Sequence, residues 1–203
     1  MLPAPVRVKF TKVGSLQFIS HLDLNRTMKT VLVRAKIPIR YTEGFNPHPK
    51  MAFALPLSIG AESVCELLDF KIDEPLSFEE IRSRMNEALP PEMRVLEVYE
   101  PTTKFTDIAY AEYALESSSP FSTEPLERDR LVVTKRTKSG EKEVDIKPLI
   151  GFWEKTGNRL TCRLCADSAR FLNPEALASA LSLSDYTVMR KRLLLSDCET
   201  EFR

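Results

Sequence analysis

Along Val6-Arg-Val-Lys-Phe-Thr-Lys-Val13, apolar and polar residues alternate, the period-2 pattern of a half-buried strand. Gly14-Ser15 breaks that pattern. Ser20 then stands three residues before Asp23, a helix-start signature. Leu24, Met28, Val31, Leu32 and Ala35 follow at helical spacing and form one stripe. Arg26, Lys29 and Lys36 fall on the opposite side, so the first helix is predicted to have a core face and a basic face. Residues 37–41 and 51–57 read as extended pieces around a proline-bearing loop, and residues 64–72 as a strand apolar on both faces. Ser77 and Glu80 start a second helix, with Phe78, Ile81, Met85, Ala88 and Leu89 on one side. Pro90-Pro91 stops it, and residues 94–99 form another strand. This β-α-β-β-α-β order predicts the ferredoxin-like arrangement, in which two helices cover one face of a sheet and leave the other available for binding.

Residues 100–106, EPTTKFT, read as a linker. Beyond it the pattern repeats less clearly. Residues 108–115 form a strand and 122–130 a short helix. Residues 131–137 and 141–147 form strands joined by a Ser139-Gly140 turn, and residues 159–165 a further strand. Asn173-Pro174 is a cap followed by proline at the first helical position, and residues 188–195 close the unit. The expected fold class is α+β, with tandem ferredoxin-like units over residues 1–100 and 107–203. The second unit is distorted by one additional strand.

Composition bounds the function. No run of eighteen apolar residues is present, so no membrane span is expected. MLPAPVRVKF has no signal-peptide core, and the expected compartment is the cytoplasm. Twenty-nine Lys and Arg balance 29 Asp and Glu, but unevenly along the chain. Residues 1–60 hold nine basic against two acidic residues, and residues 61–130 hold seven against seventeen. Such asymmetry points to a basic surface for nucleic acid or another polyanion, or to charges that pair across the fold.

Within 41-YTEGFNPHPKMAF-53, Pro47 and Pro49 push Asn46 and His48 toward extended backbone, and Gly44 supplies a tight bend. The segment is either a stiff recognition loop displaying Phe45, Asn46, His48 and Lys50, or a plain turn between strands. His21 sits in the first turn of the basic helix, where free amides attract anions and disfavour an imidazolium. It is a candidate phosphate contact, base or ligand, or a histidine satisfied by backbone. With His48 and Asp23 or Glu43 it could assemble a metal or acid–base site. The hairpin 134-TKRTKSGEKEVDIK-147 could present Lys135 and Lys142 to phosphates, or be a solvated hairpin with cross-strand ion pairs. Arg190-Lys191-Arg192 adds a basic cluster.

Cys162-x-x-Cys165 resembles half a zinc site, but strand residues three apart face opposite ways. The four cysteines form neither a disulfide framework nor an iron–sulfur motif. Walker, GxGxxG, GxSxG, HExxH and RNP patterns are absent. No cofactor or metal is therefore expected.

The segments FISHLDLNRTMKTVLVRAKIPIRYTEGFNPHPKMAFALPLSIGAES and VTKRTKSGEKEVDIKPLI give the chain a resemblance to the radical-SAM-linked family of bacterial proteins. The resemblance spans nearly the whole sequence, with SHLD and GFNPHPK as its distinctive segments. It implies a partner, or a C-terminal extension, of a radical SAM protein, and its gene context implies RNA modification or ribosome-related work. A looser similarity, to the tandem ferredoxin-like endonucleases of CRISPR RNA processing, lacks their C-terminal glycine-rich loop. The expected function is a non-catalytic RNA-binding or substrate-presenting accessory of a radical SAM enzyme. His21, Arg26, Lys29, Lys36, Phe45, Asn46, His48, Lys50, Lys135 and Lys142 would contact RNA or the partner. The alternatives are a metal-independent RNA-processing endonuclease using His21 or His48, and a protein-binding scaffold.

Overall fold

The computed structural model describes residues 4–137, 140–167 and 169–203, with the side chains of residues 135–137 outside that description. The chain is α+β and divides into two compact units, Met1–Phe105 with Arg203, and Thr106–Phe202.

The first unit runs β1 (Ala4–Lys12), α1 (His21–Arg34), β2 (Met51–Phe53), β3 (Ala61–Ile72), α2 (Phe78–Ala88) and β4 (Val95–Tyr99). All its pairings are antiparallel: β4 with β1, β1 with β3, and β3 with β2. The α1 stripe Leu24, Met28, Val31, Leu32 and Ala35 is buried against Val6, Val8 and Phe10 of β1 and Ile81 and Met85 of α2. Each fully buried side chain of this kind contributes about 1.5–3 kcal/mol by leaving water. Phe78, expected on the core side of α2, is instead exposed at the first helical position.

Both helices begin as the sequence predicts. The Ser20 hydroxyl accepts from the Asp23 amide at 3.1 Å and donates to its carboxylate at 2.7 Å. Ser77 accepts from the Glu80 amide at 3.2 Å. The end of α1 was not legible in advance. The Lys36 amide donates to the Val33 carbonyl at 3.0 Å and the Ile37 amide to the Leu32 carbonyl at 3.1 Å, which is a Schellman closure. Lys36 occupies the left-handed position at φ 50°, where glycine is the usual residue.

One expectation for this unit is corrected. The helix-free face of the sheet is not bare, because Arg7 there is fully buried. The boundary between the units falls at Phe105–Thr106, inside the segment 100–106 read as a linker, and that segment is anchored to the first unit. Thr103 accepts from Arg7 through its hydroxyl at 2.9 Å and its carbonyl at 3.0 Å, and the Arg7 guanidinium lies 4.6 Å from the Phe105 ring centroid. A buried guanidinium needs such partners, and the segment after β4 supplies them. Residues 37–41 and 51–57 are extended only in part, as the bridges Ile39–Ile72 and Tyr41–Pro49 and the short β2.

The second unit runs β5 (Tyr110–Ser117), α3 (Glu124–Glu127), β6 (Val132–Thr137), β7 (Gly140–Asp145), β8 (Ile150–Thr156), β9 (Arg159–Cys165), α4 (Pro174–Ala180) and β10 (Tyr186–Leu194). Antiparallel pairing gives the order β10-β5-β9-β8, while β6 and β7 pair only with each other. The expected single additional strand is thus a two-stranded hairpin inserted after α3. Strand β8 was unforeseen: apart from half-buried Ile150 and Trp153 it is exposed and lacks alternation. The predicted Ser139-Gly140 turn lies partly outside the described residues, because Ser139 is not among them. The Asn173 side chain caps α4 by accepting from the Glu175 amide at 3.1 Å. No helix among the described residues is long and apolar enough to cross a membrane.

Candidate nucleic-acid interface

The basic face of α1 opens onto a groove shared with α2. Two adjoining hollows form it, one lined by Arg26, Thr30 and Arg34 and the other by Arg34, Lys36 and Arg84, with Glu87 and Ala88 common to both. Its charges are not equally available. Arg26 pairs with Asp23 at 3.3 Å, and Arg84 is bound by Glu80 one helical turn earlier. The Asp23 carboxyl lies below its ordinary value, first because of the Ser20 hydroxyl and then because of the Arg26 charge. Arg34 and Lys36 are exposed and have no carboxylate partner among the described residues. Lys29 is half-buried on the same helix and lines neither hollow.

Arg34 was missed by the sequence reading, although its position two residues from Lys36 at the helix end was visible. Helix–helix packing makes it a groove residue, since Glu87 and Ala88 of α2 form the opposite wall.

The loop after α1 is built as a closed clasp. Thr42 donates its amide to the His48 carbonyl at 2.9 Å, and its hydroxyl accepts the His48 amide at 3.1 Å. His48 Nδ1 lies 3.1 Å from the same hydroxyl and 3.3 Å from the Asn46 carbonyl. These contacts fix the imidazole and leave Nε2 without a hydrogen-bond partner among the described residues. Gly44, at φ 120°, turns the chain in a region closed to other residues. Phe45 at the tip is fully exposed, and Asn46 and Lys50 are exposed too. Lys50 has no ion-pair partner among the described residues.

His21 is the first residue of α1 and is exposed, with its ring edge-on to Phe53 at 5.3 Å between centroids. The first helix turn is thereby held against β2, the strand that leaves the proline loop. Among the described residues no three His, Cys, Asp or Glu side chains gather as a metal site.

Other candidates are dispersed. Lys142 is exposed on β7 and stands opposite Lys135 in the hairpin register, while the Lys135 side chain lies outside the described residues. The Arg190-Lys191-Arg192 cluster is divided: Arg190 is buried, Lys191 is exposed, and half-buried Arg192 donates to Glu112 at 3.0 and 2.5 Å. Arg163 joins the same carboxylate at 2.9 Å. Burial raises the Glu112 pKa, but hydrogen bonds and charge from Arg192 and Arg163 outweigh it, and the net shift is downward. Cys162 and Cys165 are buried free thiols, and burial pushes Cys162 far above the ordinary thiol range. A thiol held protonated is a poor metal ligand.

Charge asymmetry along the sequence is largely absorbed within the first unit. Arg7 pairs with Asp69, Arg40 with Asp73 and Lys9 with Glu97. That unit holds 15 Lys and Arg against 13 Asp and Glu, and the second holds 14 against 16. Neither unit carries a large net charge, and the cations of the first without an ion-pair partner among the described residues are few.

Fold and site together define an α+β protein of two units, with a cation-lined helical groove and a preformed aromatic loop on the first. Residues 6–193 match a family described as uncharacterized protein conserved in bacteria (DUF2344), and the chain belongs to that family. No curated protein matches the sequence significantly.

Proposed function

We propose that the protein is a non-catalytic RNA-binding, substrate-presenting accessory of a radical SAM enzyme. The observation that carries the RNA part is the α1/α2 groove. Arg26 and Arg34 of α1 and Lys36 just past its end line it, and Arg34 and Lys36 lack an acidic partner among the described residues. The preformed loop adds Phe45 as a stacking platform and His48, Asn46 and Lys50 as polar contacts, in the combination of aromatic faces and cations that single-stranded RNA uses. The radical SAM partner rests on the family resemblance carried by SHLD and GFNPHPK. Each unit reads as a ferredoxin-like variant. The orders β4-β1-β3-β2 and β10-β5-β9-β8, each with two helices, support that reading.

The test is a salt titration of single-stranded RNA binding. With about four phosphates engaged, log affinity falls with log salt at a slope near −3. Arg26→Glu/Arg34→Glu/Lys36→Glu should abolish binding without loss of fold. Binding insensitive to salt and to these changes overturns the reading. His48, with Nδ1 anchored and Nε2 open, is the one feature favouring the endonuclease alternative. RNA cleaved in chelator by the native protein and left intact by His48→Ala would establish that alternative.

A further inference from the structure

On the helix-free face of the first unit, Arg7, Asp69 and Ala52 form one row across β1, β3 and β2. Directly opposed residues of paired strands point to the same side. Pro5 and Lys71 form the neighbouring row. The segment after β4 covers Arg7 with Thr103 and Phe105 but does not extend over Ala52, which stays exposed. What remains is an open cleft of about 290 Å³, lined chiefly by Pro5, Lys50, Met51, Ala52, Lys71 and Pro101. Small-molecule sites start at roughly this size, about 300 Å³.

Its walls are mainly carbon, and its free charges are two ammonium groups. Lys50 and Lys71 are both exposed and neither has a side-chain partner among the described residues. The one carboxylate in the lining, Asp69, is held by the Arg7 fork at 2.7 and 2.8 Å. Arg7 therefore offsets the only charge that would repel an anion. Backbone hydrogen bonds fix the lysines relative to each other. The Arg40 amide donates to the Lys71 carbonyl at 2.8 Å, and the Lys50 amide to the Arg40 carbonyl at 2.9 Å.

We propose that this cleft binds one nucleotide unit, its base against Pro5, Ala52 and Pro101 and its phosphate between Lys50 and Lys71. A neutral apolar ligand would leave both ammonium groups unused, and a bare phosphate would leave the carbon walls unused. A ring joined to a phosphate uses both. The unit comes either from a free mononucleotide or from the end of an RNA strand. The site lies on the face opposite the helical groove; it shares Lys50 with the proline loop but uses none of the groove residues Arg26, Arg34 and Lys36.

Calorimetric titration of the full chain with AMP, adenosine, inorganic phosphate and short RNAs with and without a terminal phosphate tests the proposal. AMP should bind at least tenfold more tightly than adenosine or phosphate, the loss expected for one charge-assisted contact or one buried ring, roughly tenfold to hundredfold. Lys71→Glu and Lys50→Glu should each weaken AMP by a similar factor, and Ala52→Trp should fill the cleft and abolish binding. All three positions are exposed, so unchanged melting temperatures are expected. In the groove variant Arg26→Glu/Arg34→Glu/Lys36→Glu, where groove binding is removed, terminally phosphorylated RNA binding better than AMP assigns the cleft to strand ends, and equal affinities assign it to the free nucleotide. The groove variant Arg26→Glu/Arg34→Glu/Lys36→Glu should keep its AMP affinity, so failure of the RNA reading leaves this one standing. Absence of AMP binding at millimolar concentration, or binding indifferent to all three cleft substitutions, overturns it.

Discussion

Arg7 grips Asp69 through two parallel hydrogen bonds of 2.7 and 2.8 Å, joining neighbouring strands on the face without helices. The two partners are unequally placed: the Arg7 side chain is 0% exposed and that of Asp69 27%. Removing Asp69 strands a buried cation, whereas removing Arg7 leaves a carboxylate that reaches water. Asp69→Leu should therefore cost about 3–5 kcal/mol and the volume-conserving Arg7→Met about 2 kcal/mol or less. Urea unfolding curves decide it, and the reverse order would refute the asymmetry.

Lys36 offers the opposite sign. Its left-handed backbone costs roughly 1–2 kcal/mol that glycine avoids. Lys36→Gly should raise stability by about 1 kcal/mol while removing one groove cation. A higher melting temperature combined with weaker RNA binding is the expected pair of results. A lower melting temperature would mean that the Lys36 side chain contributes packing that its exposure conceals.

Loop function and loop stability should separate. Phe45→Ala removes no buried surface, so the melting temperature should hold while binding of RNA or the partner enzyme falls about tenfold, as for a lost stacking contact. Thr42→Ala removes the hydroxyl half of the clasp to His48 and leaves the backbone bond in place. It should weaken the same binding by loosening the loop, with greater proteolytic cleavage between Thr42 and His48 as its readout. Equal cleavage of native and variant proteins would show that the Thr42 hydroxyl does not order the segment.

Glu112 sets a pH dependence. Its folded pKa is lowered, so its stabilising contribution is complete above the ordinary carboxyl value of 4.5 and lost as pH falls through the lowered value. Glu112→Gln should destabilise the second unit by about 2–3 kcal/mol near neutrality, the buried-pair cost discounted for the partly exposed Arg192. The gap between variant and native melting temperatures should then narrow as pH drops below 4.5. A gap independent of pH would assign the loss to packing.

How much of this could be seen beforehand follows the range of each interaction. The α1 stripe, its Ser20 cap and the Asn173 cap are written within a few residues, and each appears where the spacing puts it. Arg7 sits at a nominally polar position of an alternating strand. Its burial depends on Asp69 and Thr103, which are 62 and 96 residues away. Arg34 joins the groove only because α2 packs beside it. Strand β8 lacked alternation, but Gly157-Asn158 between Thr156 and Arg159 was a two-residue hairpin signal that could have revealed it. The display of the Gly44–Lys50 loop was legible from its prolines. The Thr42 clasp that holds it was not, since nothing in the pattern singles out that hydroxyl.

The inserted hairpin β6–β7 has a further consequence for how copies of this chain meet. No third strand pairs with either of its members among the described residues, which leaves Lys142–Asp145 of β7 without a neighbouring strand on their outer side. Glu141, Lys142 and Glu143 run consecutively along β7 and are exposed. A second molecule docking edge to edge in parallel register would set like charges against like and have to strip water from Lys142 and Glu143. Lys142, read as a phosphate contact, would then also serve with Glu143 as a guard against cross-molecular sheet growth, and a chain neutralised at these positions should be prone to self-assembly while its own fold stays intact.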